Sequence, residues 1–514
     1  MKKLKFSHLT RVTLLLAVFF GIDKIVAFAR LIIVARQFGL SHELDAFNVA
    51  NNLPDMLFAL ISGGALAMAF IPVLTEMLTK QGRSQAWDLF SRIANLAFLV
   101  TAGFSILIAI FAEPLVSWRL GIAPGFNDQQ QRLVAELMRL NLIATLIFSL
   151  SGLVIAGLQA NQHFLLPAIA PVLYNLGQIF GALVLAPEKG LTLGPVTLPA
   201  FGLGVHGLVY GVILGAALHL AIQIPGLIRY GFRWTPKIGL KTEAVRKVLL
   251  LLGPRLVTMF FIQLTFIVRD NLASRLEAGS PSVLTYGWMI MQVPETLIGT
   301  AIATAMLPSL AEMVARQDWV TFRATIERAV QVLMALTLPV AAVLAAGLRP
   351  LLSLAFGFDV AGTDLLLWVT RAYLLGLFGQ CLKEVAVRTF YAQQDAITPL
   401  WTAGVNLALY ALVGSQFYRI VGAAGISLGD AVAFTFEALL LMWLFTRRQQ
   451  VRFTLAPALV RALAAAVLGG GVAYLLVNLN LPGPQALGAL LAMAAGVLVA
   501  LPVVWKELRL LVQL

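Results

Sequence analysis

Lys24 and Arg30 stand six residues apart in a stretch that is otherwise almost wholly apolar. On an ideal helix that spacing leaves the two side chains about 120° apart and about one and two-thirds turns along the axis. Both can therefore face one broad cavity. Cations with few acids beside them attract an anion, and a diphosphate is the kind of group that crosses hydrocarbon only at a high desolvation cost. Arg269, followed by Asp270, is a third candidate cation, and Asp45 stands just past the first apolar stretch. A bland reading competes: Lys24 pairs with Asp23 or Asp45, Arg269 pairs with Asp270, and Arg30 reaches along the helix to the far interface. Arg371, alone in an apolar run, reads equally as a recognition group or as a donor to backbone carbonyls between helices. Glu295, Lys383, Glu384, Arg388, Asp430 and Glu437 complete the ionisable groups in apolar surroundings.

Other chemistries are excluded by what is missing. Cys381 is the only cysteine, which rules out an intramolecular disulfide and a cysteine cage for a metal. His8, His42, His163, His206 and His219 show no pairing at helical ligand spacing, so no metal or other cofactor is expected. Nothing resembles a catalytic constellation, and an enzyme is not expected. The net charge of +13 in a chain that is 60% hydrophobic reads as basic loops on one membrane face rather than a nucleic-acid footprint.

These side chains must be carried by membrane-spanning helices. With 12% charged residues and a mean hydropathy of +0.89, the chain has too few charges to cover a water-facing surface. Apolar stretches long enough to cross about 30 Å of hydrocarbon number fourteen. They lie near 12–35, 46–72, 93–112, 137–158, 164–186, 204–227, 248–273, 283–309, 326–347, 364–388, 398–418, 422–445, 457–477 and 485–504. The basic N-terminus with an apolar run superficially resembles a signal peptide, but Asp23 and Lys24 interrupt it, and an uncleaved first span is expected. Lys80, Arg83 and Arg92, the Arg229–Lys247 cluster, Arg316 to Arg328 and Arg447 to Arg452 fall on the side of the basic N-terminus. Both termini are thus predicted to be cytoplasmic.

Two internal matches point to a duplication. Gly63 to Pro72, continuing to Glu76-Met77, parallels Gly299 to Pro308, continuing to Glu312-Met313, at an offset of 236 residues. Ala160-Asn-Gln-His-Phe-Leu-Leu-Pro167 parallels Ala392-Gln-Gln-Asp-Ala-Ile-Thr-Pro399 at an offset of 232. Such offsets cover six spans, an even number, so the fold expected is all-α with two parallel six-helix lobes, 1–235 and 236–450, and two further helices in 451–514. Pro54 and Pro294 fall in equivalent spans and are candidate hinges, since each frees a carbonyl and favours a kink.

Ala29-Arg30, Ile33-Val-Ala-Arg36-Gln-Phe-Gly39, Asp45-Ala-Phe, Leu53-Pro54 and Ala69-Phe-Ile-Pro72 resemble, in order and spacing, the MurJ (MviN) family. Ala123-Pro-Gly-Phe126, Pro167 through Asn175, Gln223-Ile-Pro225, Gly253-Pro254, Leu307-Pro-Ser-Leu310 and Phe390 to Pro399 extend the resemblance along essentially the whole chain. It implies a fourteen-span member of the multidrug/oligosaccharidyl-lipid/polysaccharide exporter superfamily in the bacterial inner membrane. Such a protein flips lipid II, the undecaprenyl-diphosphate-linked peptidoglycan precursor, outward, with the peptidoglycan synthesis machinery as a possible neighbour. By motif position the resemblance makes Arg30 and Asp45 functional charges. This chain departs from the pattern at Lys24, where arginine is usual, at Leu31, Phe58, Ala59 and Gly63, and at Trp288-Met289, which stand for an acid-arginine pair ahead of Gln292 and Pro294. Lys24 keeps the charge but not the bidentate fork, and Met289 cannot bind a diphosphate.

The expected mechanism is alternating access. Lys24, Arg30 and Arg269 draw in the headgroup, with Asp270 and Gln292 beside the path, Asp45 acts at the outer side, and kinks near Pro54 and Pro294 permit rocking. Two alternatives stay open: a flippase for another polyprenyl-diphosphate-linked glycan, and a cation-coupled small-molecule antiporter, for which an acidic cavity is expected.

Overall fold

A computed structural model describes residues 8–62, 64–193, 196–479 and 484–513. The lysines of the N-terminus and Gly63 lie outside the described residues. The chain divides into two compact units, Met1–Ile267 and Val268–Leu514. The first holds α1 (His8–Phe38), α2 (His42–Ala50), α3 (Asn52–Leu57), a π-helical turn (Phe58–Ser62), α4 (Gly64–Lys80), α5 (Arg83–Ile110), α6 (Ala112–Ser117), α7 (Asp128–Ala160) and α8 (Leu165–Phe180). A second π-helical turn (Gly181–Leu185) follows, then an antiparallel pair of two-residue strands, β1 (Thr192–Leu193) and β2 (Val196–Thr197), then α9 (Gly204–Ala221) and α10 (Ile224–Arg229). The boundary between units falls within α11 (Glu243–Ala273).

The second unit continues with α12 (Ser280–Glu295), a third π-helical turn (Thr296–Thr300), α13 (Ala301–Ala315), α14 (Trp319–Gly347), α15 (Arg349–Phe356), α16 (Val360–Leu375), α17 (Leu377–Ala392), α18 (Ile397–Val421), α19 (Ala423–Gln449), α20 (Ala456–Asn478) and α21 (Gln485–Leu508), closed by a 3₁₀ turn (Arg509–Gln513). Eleven helices among the described residues are long and apolar enough to cross a membrane, or twelve if α16 and α17, bent by 41°, count as one span. The fold is therefore all-α and polytopic, with fewer clear crossings than the fourteen expected. The expected spans outside the eleven are α1, interrupted by Asp23, Lys24 and Arg30, the broken run α2 to α4, and the bent α16–α17 pair.

Close packing comes from small residues. A Cβ built on Gly177 would lie 2.4 Å from the Gly215 Cα, and one on Gly181 would lie 2.6 Å from the Gly211 Cα. With glycines every fourth residue on one face of each, α8 and α9 bring their backbones together, the arrangement by which membrane helices gain dispersion contacts. Gly469 and Gly496 do the same for α20 and α21. Toward the other end of the first unit, Trp87, Phe90 and Phe232 meet edge to face at 5.1–5.5 Å within a core of Phe70, Ile93, Leu153 and Leu158.

The duplication is visible in the backbone. Gln162 and Gln394, 232 residues apart, both take φ +59° just past the ends of α7 and α17. In both turns the following amide reaches five residues back, His163 to Leu158 at 2.9 Å and Asp395 to Phe390 at 3.0 Å, which satisfies a terminal carbonyl of each helix. Pro54 and Pro294 each stand shortly before a π-helical turn, at equivalent places in the two units.

Candidate functional site

In the first unit α1 is tied to α8 by two polar contacts, seven residues apart along α1. Asn175 Nδ2 donates to Asp23 Oδ1 at 2.8 Å, and Arg30 Nη1 donates to Gln178 Oε1 at 2.6 Å. Seven residues return a helix to nearly the same face, as do the three between Asn175 and Gln178, so the tie follows from the spacing. Arg30 is held without being neutralised by a salt bridge, and its charge bears on Asp55 and Tyr174. Lys24 is exposed and forms neither an ion pair nor a hydrogen bond among the described residues. Asp45 is fully buried in the first turn of α2, whose N-terminal amide at Leu44 is capped by Ser41 Oγ at 3.2 Å, and it is partnered.

Beside this tie lies a cavity of about 270 Å³, lined among others by Asn51, Pro54, Asp55, Asn141, Tyr174 and His219. Asn141 donates to Asn51 Oδ1 at 2.8 Å, whereas its own buried Oδ1 finds no donor among the described residues. His219 Nδ1 is 2.6 Å from Ser151 Oγ, which also accepts from Gln223 at 2.8 Å, so this wall is cross-braced. Phe58, one of the departures in sequence, opens the π-helical turn and meets Phe148 at 5.1 Å, and Phe148 in turn meets the Tyr174 ring edge to face at 5.0 Å. An aromatic wall thus stands where two arginines are usual. A recess with amides, one carboxylate, aromatic faces and an adjacent guanidinium suits a polar, partly anionic group carried on an apolar body.

In the second unit Arg269 is committed. Its Nε donates to Asp270 Oδ1 at 2.8 Å, and its Nη2 reaches Asp270 Oδ2 at 3.3 Å and Thr285 Oγ1 at 3.4 Å. Gln292 is exposed on α12, and Pro294 is buried. The next residue, Glu295, accepts from Thr300 Oγ1 at 2.9 Å and from Thr296 Oγ1 at 3.2 Å, so its carboxylate straps the π-helical turn. Trp288 packs between Tyr373 and Phe434, and Lys383 Nζ sits 4.1 Å from the centre of the Phe434 ring. Arg371 donates to the Ala345 carbonyl at 2.8 Å and lies 5.0 Å from the Trp368 ring, the helix-gluing arrangement. Glu437 is buried and accepts from Thr402 at 3.4 Å. Among the described residues no group of histidine, cysteine and carboxylate side chains could hold a metal ion.

Sequence reasoning passed over Asp55, Gln178, Tyr174 and Asn141. Asp55 carried a signal, being an acid inside an expected span next to Pro54. The others are neutral and far from their partners in sequence, so only the fold shows them.

Comparison with known proteins places this geometry. The sequence model of the family described as lipid II flippase MurJ matches residues 34–496. The lipid II flippase MurJ of Burkholderia cenocepacia is 29% identical over 496 residues, covering 93% of this chain and 92% of that protein. A solved structure of lipid II flippase MurJ in an inward closed conformation aligns with TM-score 0.78 at 20% identity, over 97% of this chain and 100% of that one. An inward-facing multidrug resistance transporter of the MATE family aligns with TM-score 0.67 at 15% identity, over 85% of this chain and 98% of its own. With a family match that runs through nearly all of its helices, the chain belongs to the MurJ family of lipid II flippases.

Proposed function

We propose that this chain carries lipid II from the cytoplasmic to the outer leaflet by alternating access, with no bond made or broken. Family membership supports the reading, and the observation in the chain that carries it is Arg30. This guanidinium is positioned by a neutral amide at 2.6 Å beside a cavity of amides and aromatic rings, and so keeps its charge available for a diphosphate. Exposed Lys24 adds a second positive charge on the same helix, with Gln292 as a polar contact from the second unit. Asp45 fixes the start of α2, and the buried Arg269–Asp270 pair braces α11. Pro54 and Pro294, each ahead of a π-helical turn, are the points where the helices flex.

The same proposal takes fourteen crossings, counting α1, the run α2 to α4 and the bent α16–α17 pair. It takes two parallel six-span lobes, 1–235 and 236–450, two added spans in 451–514, both termini cytoplasmic in a bacterial inner membrane, and the peptidoglycan synthesis machinery as neighbour.

The test is rescue of a strain depleted of its own flippase, with surface-exposed lipid II as the readout. The intact chain restores it, Arg30→Ala loses it by roughly 10- to 100-fold, as expected for a lost charge-assisted contact, and Arg30→Lys keeps part. Failure of the intact chain despite membrane expression removes lipid II as the cargo, and full activity of Arg30→Ala removes charge recognition by that residue. One observation favours the antiporter reading: Asp55 faces the cavity. Cation-driven dye efflux that disappears in Asp55→Asn, without lipid II rescue by the parent, would replace the flippase reading.

A further inference from the structure

The segment 230–242 joins α10 to α11 and is held rigidly against α5. Trp87 Nε1 donates to the Tyr230 carbonyl at 3.0 Å. Asn95 Nδ2 donates to the carbonyls of Thr235 at 2.7 Å and Lys237 at 2.9 Å. The Thr235 amide donates to Ser91 Oγ at 3.2 Å, and its hydroxyl to Asp88 at 3.3 Å. At Gly239, with φ +60°, the backbone lies directly on Arg92: a Cβ there would stand 1.9 Å from Arg92 Nη1.

A segment fixed by so many side chains has the means to turn its large apolar groups inward, as Phe232 does. Three others point outward instead. Trp234 is 62% exposed although its Nε1 is anchored to Asn95 Oδ1 at 2.7 Å, Leu240 is 56% exposed and Ile238 is 39% exposed. They alternate with exposed Arg233, Lys237 and Lys241. The acids nearby are engaged elsewhere, Asp88 with Arg92 and Glu76 with Lys80 and Lys247, apart from exposed Glu243 at the start of α11. The crossing helix pair α9–α10 ends at Arg229, one residue before the segment begins, so connectivity sets it at a membrane border. A tryptophan with two aliphatic side chains among three cations fits the boundary of a leaflet with anionic headgroups, where rings and aliphatic chains sit at the acyl border and cations meet the surface potential.

We propose that residues 230–242 form a membrane-surface anchor. Trp234, Ile238 and Leu240 enter the headgroup region of the adjoining leaflet, and Arg233, Lys237 and Lys241 hold anionic phospholipids. Because the segment is laced to α5, the anchor holds the first unit at a set depth. The proposal rests on the chain being a membrane protein. It is independent of which cargo is carried.

The test uses the full chain with Leu240→Cys carrying a fluorophore, in vesicles of phosphatidylcholine alone or mixed with phosphatidylglycerol. The parent protein, whose only cysteine, Cys381, is buried, is the labelling blank. Quenching by headgroup-proximal spin-labelled lipid, with protection from aqueous iodide, is expected, and both should strengthen with phosphatidylglycerol. Combining Arg233→Gln, Lys237→Gln and Lys241→Gln should reduce the gain from anionic lipid by about half or more, and so should raising salt until the screening length falls from about 10 Å to about 3 Å. Equal access of iodide in detergent and in anionic vesicles overturns the anchor, and lipid quenching indifferent to the three charges overturns the anionic-lipid assignment. Every variant lies at an exposed position, and unchanged melting excludes misfolding as the cause. Absence of lipid II transport with quenching intact would count against the function proposed above and leave the anchor standing.

Discussion

Asp270 retains 1% of its side-chain exposure and Arg269 11%, so each is the other's replacement for water. Removing one partner strands a buried charge, at a cost of about 3–5 kcal/mol, whereas replacing both with apolar side chains of similar volume is often neutral or stabilising. Arg269→Met and Asp270→Leu should each lower the melting temperature in detergent sharply, and the double variant should recover most of the loss. If either single variant melts like the parent, the pair is not the brace described here. The sequence offered both readings of Arg269, a free cation or a partner of its neighbour, and could not decide between them. Adjacent residues on a helix point about 100° apart, and whether a long guanidinium folds back across that gap depends on what surrounds it. Arg30 was legible because a lone cation in an apolar stretch demands a reason. Its support was not: Gln178 is neutral and 148 residues away, and Asn175 is 152 residues from Asp23.

Helix pairs obey a coarser logic, and glycine spacing shows part of it. Gly177 and Gly181, like Gly207, Gly211 and Gly215, recur every fourth residue, which predicts a flat helix face but not which helix it meets. In the fold the two faces meet each other, with backbone atoms opposite both glycines of α8. Backbone cannot give way as a side chain can, so Gly181→Leu should cost at least about 1–3 kcal/mol and separate α8 from α9. Reduced membrane expression with a lower melting temperature checks this, and normal behaviour would show that the close approach is dispensable. A second inter-helix contact, at the exposed end of α4, is electrostatic. The Glu76 carboxyl is pulled down to about 2, first by the hydrogen bond from Lys247 and then by that from Lys80. A depressed folded-state value stabilises above the unfolded value near 4.5 and is lost as pH falls through about 2. Melting in Glu76→Gln should therefore differ from the parent at pH 7, slightly because the group is exposed, and converge with it near pH 2. A difference that grew on acidification would contradict the assignment.

At the scale of the whole chain, the duplication was the most legible feature, because two segments repeat at offsets of 236 and 232 residues. The backbone carries it further than side-chain identity does. Gln162 and Gln394 share a left-handed turn and its hydrogen bonds although their neighbours differ, since a helix end must satisfy its carbonyls whatever the surrounding composition. The number of crossings was less legible, because hydropathy sees length and composition but not breaks, and the spans that escape a simple count are those with charges or kinks. Nothing in composition announced the π-helical turns at Phe58–Ser62 and Thr296–Thr300. Each takes in one residue more than an α-helix would, and an α-helix turns about 100° per residue. Side chains beyond the turn are therefore out of phase with those before it. A span of this kind is two helical gratings joined by a slip, and each half presents its own stripe to lipid. Deleting Ile298 should cancel the slip and rotate the far half by about 100°, abolishing rescue in the depletion assay, whereas Ile298→Ala should retain it and a compensating insertion one turn beyond should restore it. The slip makes these two places ones where the chain tolerates a changed letter but not a changed count.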